Sequence, residues 1–156
     1  MKAPSADPPA PRRRIPWGPA AVLTLAGGAA FWLANLVISL TPIAAEYRAA
    51  LSISYVPMLL EALLGGLVLG FGVSVVLARF ADRVPGRDQF RKSLLLSLAA
   101  LAIATVVIEI PAKMSGGIPD PMRYLVIGTV INAIRILALG VAIGAIATRT
   151  SANRPM

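Results

Sequence analysis

Three ionisable side chains interrupt long stretches of sequence that otherwise carry no charge. Glu61, Glu109 and Arg135 each stand alone among about 20 to 30 uncharged residues, and Asn35 and Asn132 add two amides to similar apolar stretches. A charged group surrounded by apolar side chains or lipid is unstable unless it is paired or hydrogen-bonded. These five side chains are therefore the candidates for a binding site, for a proton or ion pathway, or for a polar contact between helices.

The uncharged runs themselves predict that the candidates lie in a membrane. Each run is long enough to cross an apolar bilayer core of about 30 Å at about 1.5 Å per helical residue, and the four predicted spans cover about residues 20–41, 57–78, 93–110 and 122–147. The predicted fold class is an all-α membrane protein with four transmembrane helices in an up-down bundle. The predicted domains are a disordered, basic, proline-rich tail at 1–16, a transmembrane domain at 17–148 and a short tail at 149–156.

The distribution of basic residues predicts the orientation of the bundle. Eleven of the 15 lysines and arginines lie in the two tails and the second hinge, and three lie in the other two hinges. Because positive residues concentrate on the cytoplasmic side, both termini are predicted to be cytoplasmic in a multi-pass protein of the cell membrane. The net charge of +8 is interpreted as attraction to anionic lipid headgroups on the cytoplasmic side, so no nucleic-acid partner is predicted.

Helical periodicity predicts which face of each span points inward. At about 100° per residue, Glu61, Gly65, Val68 and Gly72 share one face of span two, and every other span also carries a stripe of small or polar residues. The simplest assembly turns these four stripes inward. Two G-x-x-x-G pairs, at 66/70 on the opposite face of span two and at 140/144 in span four, are interpreted as packing contacts between neighbouring helices, with a homodimer seam as the alternative.

The inward faces are expected to bring the five polar candidates together in the outer half of the bundle. The central prediction is a buried ion pair between Glu61 and Arg135, with Glu109, Asn35 and Asn132 as hydrogen-bond partners. Glu109 is the alternative ion-pair partner of Arg135. Such a cluster either fixes the register of the helices or forms a proton- or ion-coupled site.

The second hinge is short and basic and contains a Pro-Gly pair. Residues 78–87 read Ala-Arg-Phe-Ala-Asp-Arg-Val-Pro-Gly-Arg, and they resemble the Asp-Arg-x-Gly-Arg loop between spans two and three of major-facilitator transporters. Pro85 is an extra residue, Ala78 stands in place of the leading glycine, and that family has twelve spans where four are predicted here. The motif is therefore interpreted as a tight basic turn that meets lipid phosphates, and no site residue is transferred from that family.

The composition excludes several kinds of chemistry. Without cysteine or histidine, the chain cannot provide a disulfide, a zinc–thiolate site, a haem ligated by His or Cys, a Cys nucleophile or a His base. The sequence also lacks the phosphate-binding loop, the nucleophile elbow and metal-ligand spacings. We therefore predict no catalytic, cofactor-binding or metal-binding residue, no cofactor and no enzymatic activity.

The predicted function is a non-enzymatic accessory or structural component of the membrane that contains an intramembrane Glu/Arg/Asn cluster. One alternative is a small transporter or channel that uses this cluster, and another is a lipid-acting enzyme with both glutamates in an outer-leaflet cleft. A homo-oligomer or a larger membrane complex is a further alternative for its assembly. A water-filled cavity that reaches Glu61 would favour transport, whereas a dry, tightly packed core would favour the structural role.

Overall fold

The computed structural model describes residues 17–115 and 117–152, with side chains described up to residue 150. This part of the chain consists of helices joined by short turns and contains no strand. The predictions made for residues 1–16 and for residues 153–156 lie outside the described residues. The helices are α1 (Trp17–Ser39), α2 (Pro42–Ala50), α3 (Tyr55–Phe80), α4 (Gln89–Ala104), a π-helical turn (Thr105–Glu109), α5 (Ile110–Ser115) and α6 (Pro121–Ala152).

Within residues 17–115 and 117–152, four helical segments are long and apolar enough to cross a membrane. They are Trp17–Ser39, Tyr55–Phe80, Gln89–Ser115 and Pro121–Thr150. Each coincides with one predicted span and begins a few residues earlier. Large apolar side chains on their outer surfaces are exposed, which is expected where a helix faces lipid and not water. These helices fit a multi-pass membrane protein.

Glycines bring α1 and α3 into close contact. A Cβ atom added at Gly66 would lie 3.1 Å from the carbonyl oxygen of Gly28, and one added at Gly70 would lie 2.9 Å from the carbonyl oxygen of Thr24. Because no side chain separates the two backbones at these points, the helices approach more closely than larger residues would allow. The G-x-x-x-G pair of α3 is thus a packing contact between neighbouring helices.

This contact corrects the predicted orientation of span two. The positions that a Cβ atom would occupy at Gly65 and Gly72 have no neighbouring atom within 4 Å, and Val68 is 70% exposed. The face that was predicted to point inward therefore points away from α1. Both faces of α3 carry glycines, and the face with residues 66 and 70 packs because it meets the small residues of α1.

The most deeply buried apolar side chains among the described residues belong to α6, which packs against both α1 and α4. Leu139 and Ile143 are fully buried and lie against Gly27 of α1. On the α4 side, the Ser93 hydroxyl donates a hydrogen bond to the carbonyl oxygen of Gly140 at 2.8 Å. Contacts between α3 and α4 are much sparser than those that join α1 to α3, α1 to α6 and α4 to α6.

The third span was predicted to end before Pro111, but in the structure it continues to Ser115. Proline has no backbone N–H, and its ring clashes with the carbonyl group four residues earlier in a regular α-helix. The backbone accommodates Pro111 by widening into the π-helical turn, where the N–H of Ile110 bonds to the carbonyl of Thr105. As a result, Glu109 and Lys113 lie one turn apart on a continuous helical segment.

The short helix α2 packs against α1 and α6 at one end of the bundle. It begins at Pro42, where proline is favoured, and the backbone N–H of Ala44 donates to the Thr41 hydroxyl at 3.3 Å. The Tyr47 ring of α2 lies with its centroid 6.2 Å from that of Tyr124 in α6. α2 therefore covers the end of α6 that is nearest to the polar candidates.

Candidate functional site

Arg135 lies in the middle of α6 and is surrounded by neutral partners. Its Nη1 donates a hydrogen bond to Oδ1 of Asn35 at 2.7 Å, and its Nη2 donates to Oδ1 of Asn132. The guanidinium carbon also lies 5.1 Å from the centroid of the Phe31 ring, a cation–π geometry. These groups replace water around the cation, but none of them carries a negative charge.

Glu109 is held at the end of the π-helical turn by two donors. Nδ2 of Asn132 donates to its Oε1 at 2.9 Å, and Nζ of Lys113 lies 3.5 Å from its Oε2. Lys113 is only 7% exposed and lies 5.0 Å from the centroid of the Tyr47 ring. The amide of Asn132 thus links two charged groups, because it donates to Glu109 and accepts from Arg135.

Gly128 leaves the space in which this end of the site is built. A Cβ atom at Gly128 would lie 2.7 Å from both Oε2 of Glu109 and Oη of Tyr47. Burial raises the pKa of the Tyr47 phenol, so this group stays protonated at neutral pH. A glycine one helical turn before Asn132 therefore allows a carboxylate and a neutral hydroxyl to approach α6 together.

The predicted ion pair between Glu61 and Arg135 is not formed. Glu61 is exposed on α3 and has no ion pair with any described residue. Two physical causes separate them: α3 turns its other face towards α1, and the amides of Asn35 and Asn132 occupy both terminal nitrogens of Arg135. Hydrogen bonds therefore connect four of the five predicted residues, in the order Asn35, Arg135, Asn132 and Glu109. Glu61 is not part of this hydrogen-bonded series.

A cavity of about 340 Å³ lies between Glu61 and the hydrogen-bonded residues. This volume falls at the lower end of the range of small-molecule pockets, which is about 300–1,000 Å³. Apolar side chains from α1, α3 and the π-helical turn form much of its wall. The charged groups that line it are three cations and two carboxylates, and their formal charges leave one positive charge in excess: Arg48, Lys113 and Arg135, with Glu61 and Glu109.

Two hydrogen-bond donors beside this cavity have no partner among the described residues. They are Nδ2 of Asn35 and Nε of Arg135, both buried. The Asn35 side chain is only 3% exposed. Oε2 of Glu109 also accepts no hydrogen bond, although Lys113 provides an ion pair. Buried polar atoms in folded proteins are nearly always hydrogen-bonded, to protein groups or to ordered water, so these atoms are polar groups that the surrounding helices leave unsatisfied.

Three residues of the site are missing from the sequence prediction. The sequence prediction places Lys113 in the hinge after span three, although its spacing of four residues from Glu109 is the signal for a helical ion pair. Tyr47 lies outside the four predicted spans, in the hinge after span one, and is not among the five candidates. Arg48 enters the sequence argument only as a hinge charge, whereas its Nη1 donates to the carbonyl of Ser39 at the end of α1, at 3.1 Å.

Comparisons of the chain with protein-family models, with curated proteins and with solved structures found no match.

Proposed function

We propose that this chain is a multi-pass protein of the cell membrane that binds a small ligand in the cavity next to Arg135. The observation that carries the proposal is a cavity of about 340 Å³ that reaches Glu61. Side chains that served only to fix the helix register would be expected to fill the space between them, because protein interiors are close-packed. The cavity therefore favours ligand binding over a purely structural accessory role.

Binding accounts for the geometry better than catalysis does. Both glutamates line the cavity, as a lipid-acting enzyme would require. Glu109, however, is engaged by Asn132 and Lys113, so it is held as a partner for these donors. Glu61 alone is left as a candidate acid or base, and general acid–base chemistry needs a positioned partner for the proton. We therefore propose a non-enzymatic role.

Transport is the second candidate, and the same cavity supports it. The cavity residues come from one end of the bundle, while Leu139 and Ile143 are fully buried further along α6. A transporter would have to adopt a second conformation in which the helices packed around Leu139 and Ile143 move apart. Binding with access from one side requires no such step, so it is the simpler account of this conformation.

The proposal includes the up-down arrangement with both termini in the cytoplasm. It is supported by contacts whose residue numbers rise along one helix and fall along its neighbour, as Gly66 with Gly28 and Gly70 with Thr24 do. The basic second hinge then lies on the cytoplasmic side near anionic lipid headgroups, and the cavity lies in the outer half. Reporter fusions at the two termini should both give a cytoplasmic signal, and signals from opposite sides would reject this orientation.

Cysteine labelling tests whether the cavity is open to water. The natural chain contains no cysteine, so a single Glu61→Cys substitution provides a unique thiol. The matched control is Leu60→Cys, because Leu60 lies at nearly the same depth and is 57% exposed but does not line the cavity. A membrane-impermeant maleimide added to intact cells should label the cysteine at position 61 at least about tenfold faster, since thiolate reactivity requires water.

The labelling experiment also defines the result that would reject ligand binding. Equal, slow labelling at positions 60 and 61 would mean that the cavity excludes water, and the polar cluster would then be a structural contact. Labelling of position 61 in right-side-out vesicles and also in inside-out vesicles would instead support transport, because transport requires access to the cavity from both sides of the membrane.

A further inference from the structure

The charge of Arg135 points to the chemical class of ligand that the cavity would bind. Both terminal nitrogens of its guanidinium bind amide oxygens, and it forms no ion pair with any carboxylate of the described residues. Glu109, the carboxylate joined to it through Asn132, already pairs with Lys113. A buried cation without its own counter-ion is costly in an apolar environment. An anion in the cavity would remove that cost.

The position and walls of the cavity suit an anion that carries an apolar part. The cavity lies where α3 and the π-helical turn make few or no direct contacts, and both Gly65 and Ile108 line it. Ile108 is 63% exposed, so this wall continues into the surface that faces lipid. Lys113 lies near the end of the third span, and Arg48 donates to the carbonyl of Ser39 at the end of the first, so both lie near the depth at which lipid phosphates are found.

We propose that the cavity binds a phosphate group, provided either by a lipid headgroup or by a soluble phosphate compound. This inference rests on the proposed ligand-binding function and adds the class of ligand. Arg48, Lys113 and Arg135 line the cavity and provide the positive charge that attracts the phosphate, and Arg135 has no carboxylate partner among the described residues. Arginine is well suited to this role because its guanidinium presents several donors to an oxyanion.

Two substitutions test the site without removing its cations. Asn35→Asp has nearly the same shape and places a carboxylate against Arg135, so it provides an internal counter-ion and should abolish the response to phosphate. Gly65→Leu puts a side chain into the cavity, where a Cβ atom meets no neighbour within 4 Å. The matched control is Gly72→Leu, because position 72 is equally open but does not line the cavity.

The measurement is the thermal unfolding of the full chain in a neutral detergent. Sodium phosphate is compared with sodium chloride at equal ionic strength, and dihexanoyl phosphatidic acid is compared with dihexanoylglycerol, which lacks the phosphate. At a hundredfold excess over its dissociation constant, a phosphate-bearing ligand should raise the Tm by at least about 3 °C in the natural chain and in the Gly72→Leu control. The Asn35→Asp and Gly65→Leu variants should lose this shift.

The outcomes separate the sources of phosphate and the two proposals. A shift with sodium phosphate identifies a soluble phosphate, and a shift with phosphatidic acid alone identifies a lipid headgroup; either supports the inference. No selective shift, or a shift that survives in Gly65→Leu, overturns it, because binding to the basic second hinge would survive that change. Labelling of Glu61→Cys without any phosphate effect would leave the ligand-binding function intact and reject only the phosphate.

Discussion

Nη1 of Arg135 lies 2.7 Å from Oδ1 of Asn35, which joins α6 to α1 across 100 positions of the sequence. The choice of an amide at this position has a consequence for the charge of the site. An aspartate at position 35 would neutralise the arginine and close the site as an ion pair. An asparagine orients the guanidinium equally well but leaves its positive charge available to an incoming anion.

The buried ion pair between Lys113 and Glu109 should be far more important for stability than the exposed pair between Arg123 and Glu46. Lys113→Met leaves the Glu109 carboxylate without a cation in a buried position, so the free energy of unfolding should fall by about 3–5 kcal/mol. The Arg123–Glu46 pair is shorter, at 2.6 Å, but both side chains are about half exposed. Arg123→Met should therefore cost only about 0–1 kcal/mol.

Unfolding in mixed micelles of neutral detergent and dodecyl sulfate measures both variants under the same conditions. Equal losses of stability in Lys113→Met and Arg123→Met would contradict the burial of the Lys113–Glu109 pair, because burial is the difference between the two pairs.

A methyl group at Gly128 should disturb the site directly. In Gly128→Ala the added Cβ would lie 2.7 Å from both Oε2 of Glu109 and Oη of Tyr47, so both groups must move. The expected loss is about 1–3 kcal/mol, the usual cost of overpacking. The control is Gly65→Ala, which meets no atom within 4 Å and should be neutral or slightly stabilising, because alanine favours the helix. A neutral Gly128→Ala would show that Tyr47 and Glu109 are not packed against α6.

The contact between α1 and α3 can be tested with two glycines of the same helix. A Cβ atom at Gly70 would lie 2.9 Å from the carbonyl oxygen of Thr24, whereas one at Gly72 meets nothing within 4 Å. Because backbone atoms cannot move aside as a side chain can, Gly70→Ala should lower the free energy of unfolding by about 1–3 kcal/mol. Gly72→Ala should leave it unchanged or raise it by up to about 1 kcal/mol. A larger loss at position 72 would restore the inward face that was predicted from the sequence.

The length and position of the four spans could be predicted because lipid imposes one strong condition on the sequence. A segment that crosses an apolar layer of fixed thickness must lack charges over a fixed number of residues, and this condition can be read without a structure. The depth of Asn35, Asn132 and Arg135 follows from the same helical rise, and the structure joins all three. The largest difference is at the end of the third span, because a π-helical turn carries the helix through Pro111.

The rotation of span two could not be predicted with the same reliability. Span two carries glycines on two faces, so the small-residue pattern is compatible with either face against α1. The predicted ion pair between Glu61 and Arg135 favoured the wrong face. That prediction considered the charge of Glu61 but not the close packing of residues 66 and 70 against α1. Neutral amides can hydrogen-bond a buried arginine in place of a carboxylate. A prediction that considers only pairs of opposite charges misses such partners.

The bridging amide of Asn132 should contribute to stability through both of its hydrogen bonds. Asn132→Leu removes a donor from Glu109 and an acceptor from Arg135 while keeping a similar volume, so two polar groups lose a partner. The expected loss is about 1–3 kcal/mol in the free energy of unfolding. Val130→Ala is the control, because Val130 is 53% exposed on the same helix and its truncation should cost much less. Unchanged stability in Asn132→Leu would contradict the bridge.

Two double-mutant cycles, read by reversible unfolding in mixed micelles, test most directly whether amides and not Glu61 hold Arg135. One cycle combines Arg135→Gln with Asn35→Ala, and the other combines Arg135→Gln with Glu61→Ala. The geometry predicts a coupling of about 0.6–1.7 kcal/mol between Arg135 and Asn35, the range of hydrogen bonds between membrane helices. It predicts a coupling within about 0.3–0.5 kcal/mol of zero between Arg135 and Glu61, as for residues that do not interact. A stronger coupling with Glu61 than with Asn35 would contradict this account of the site.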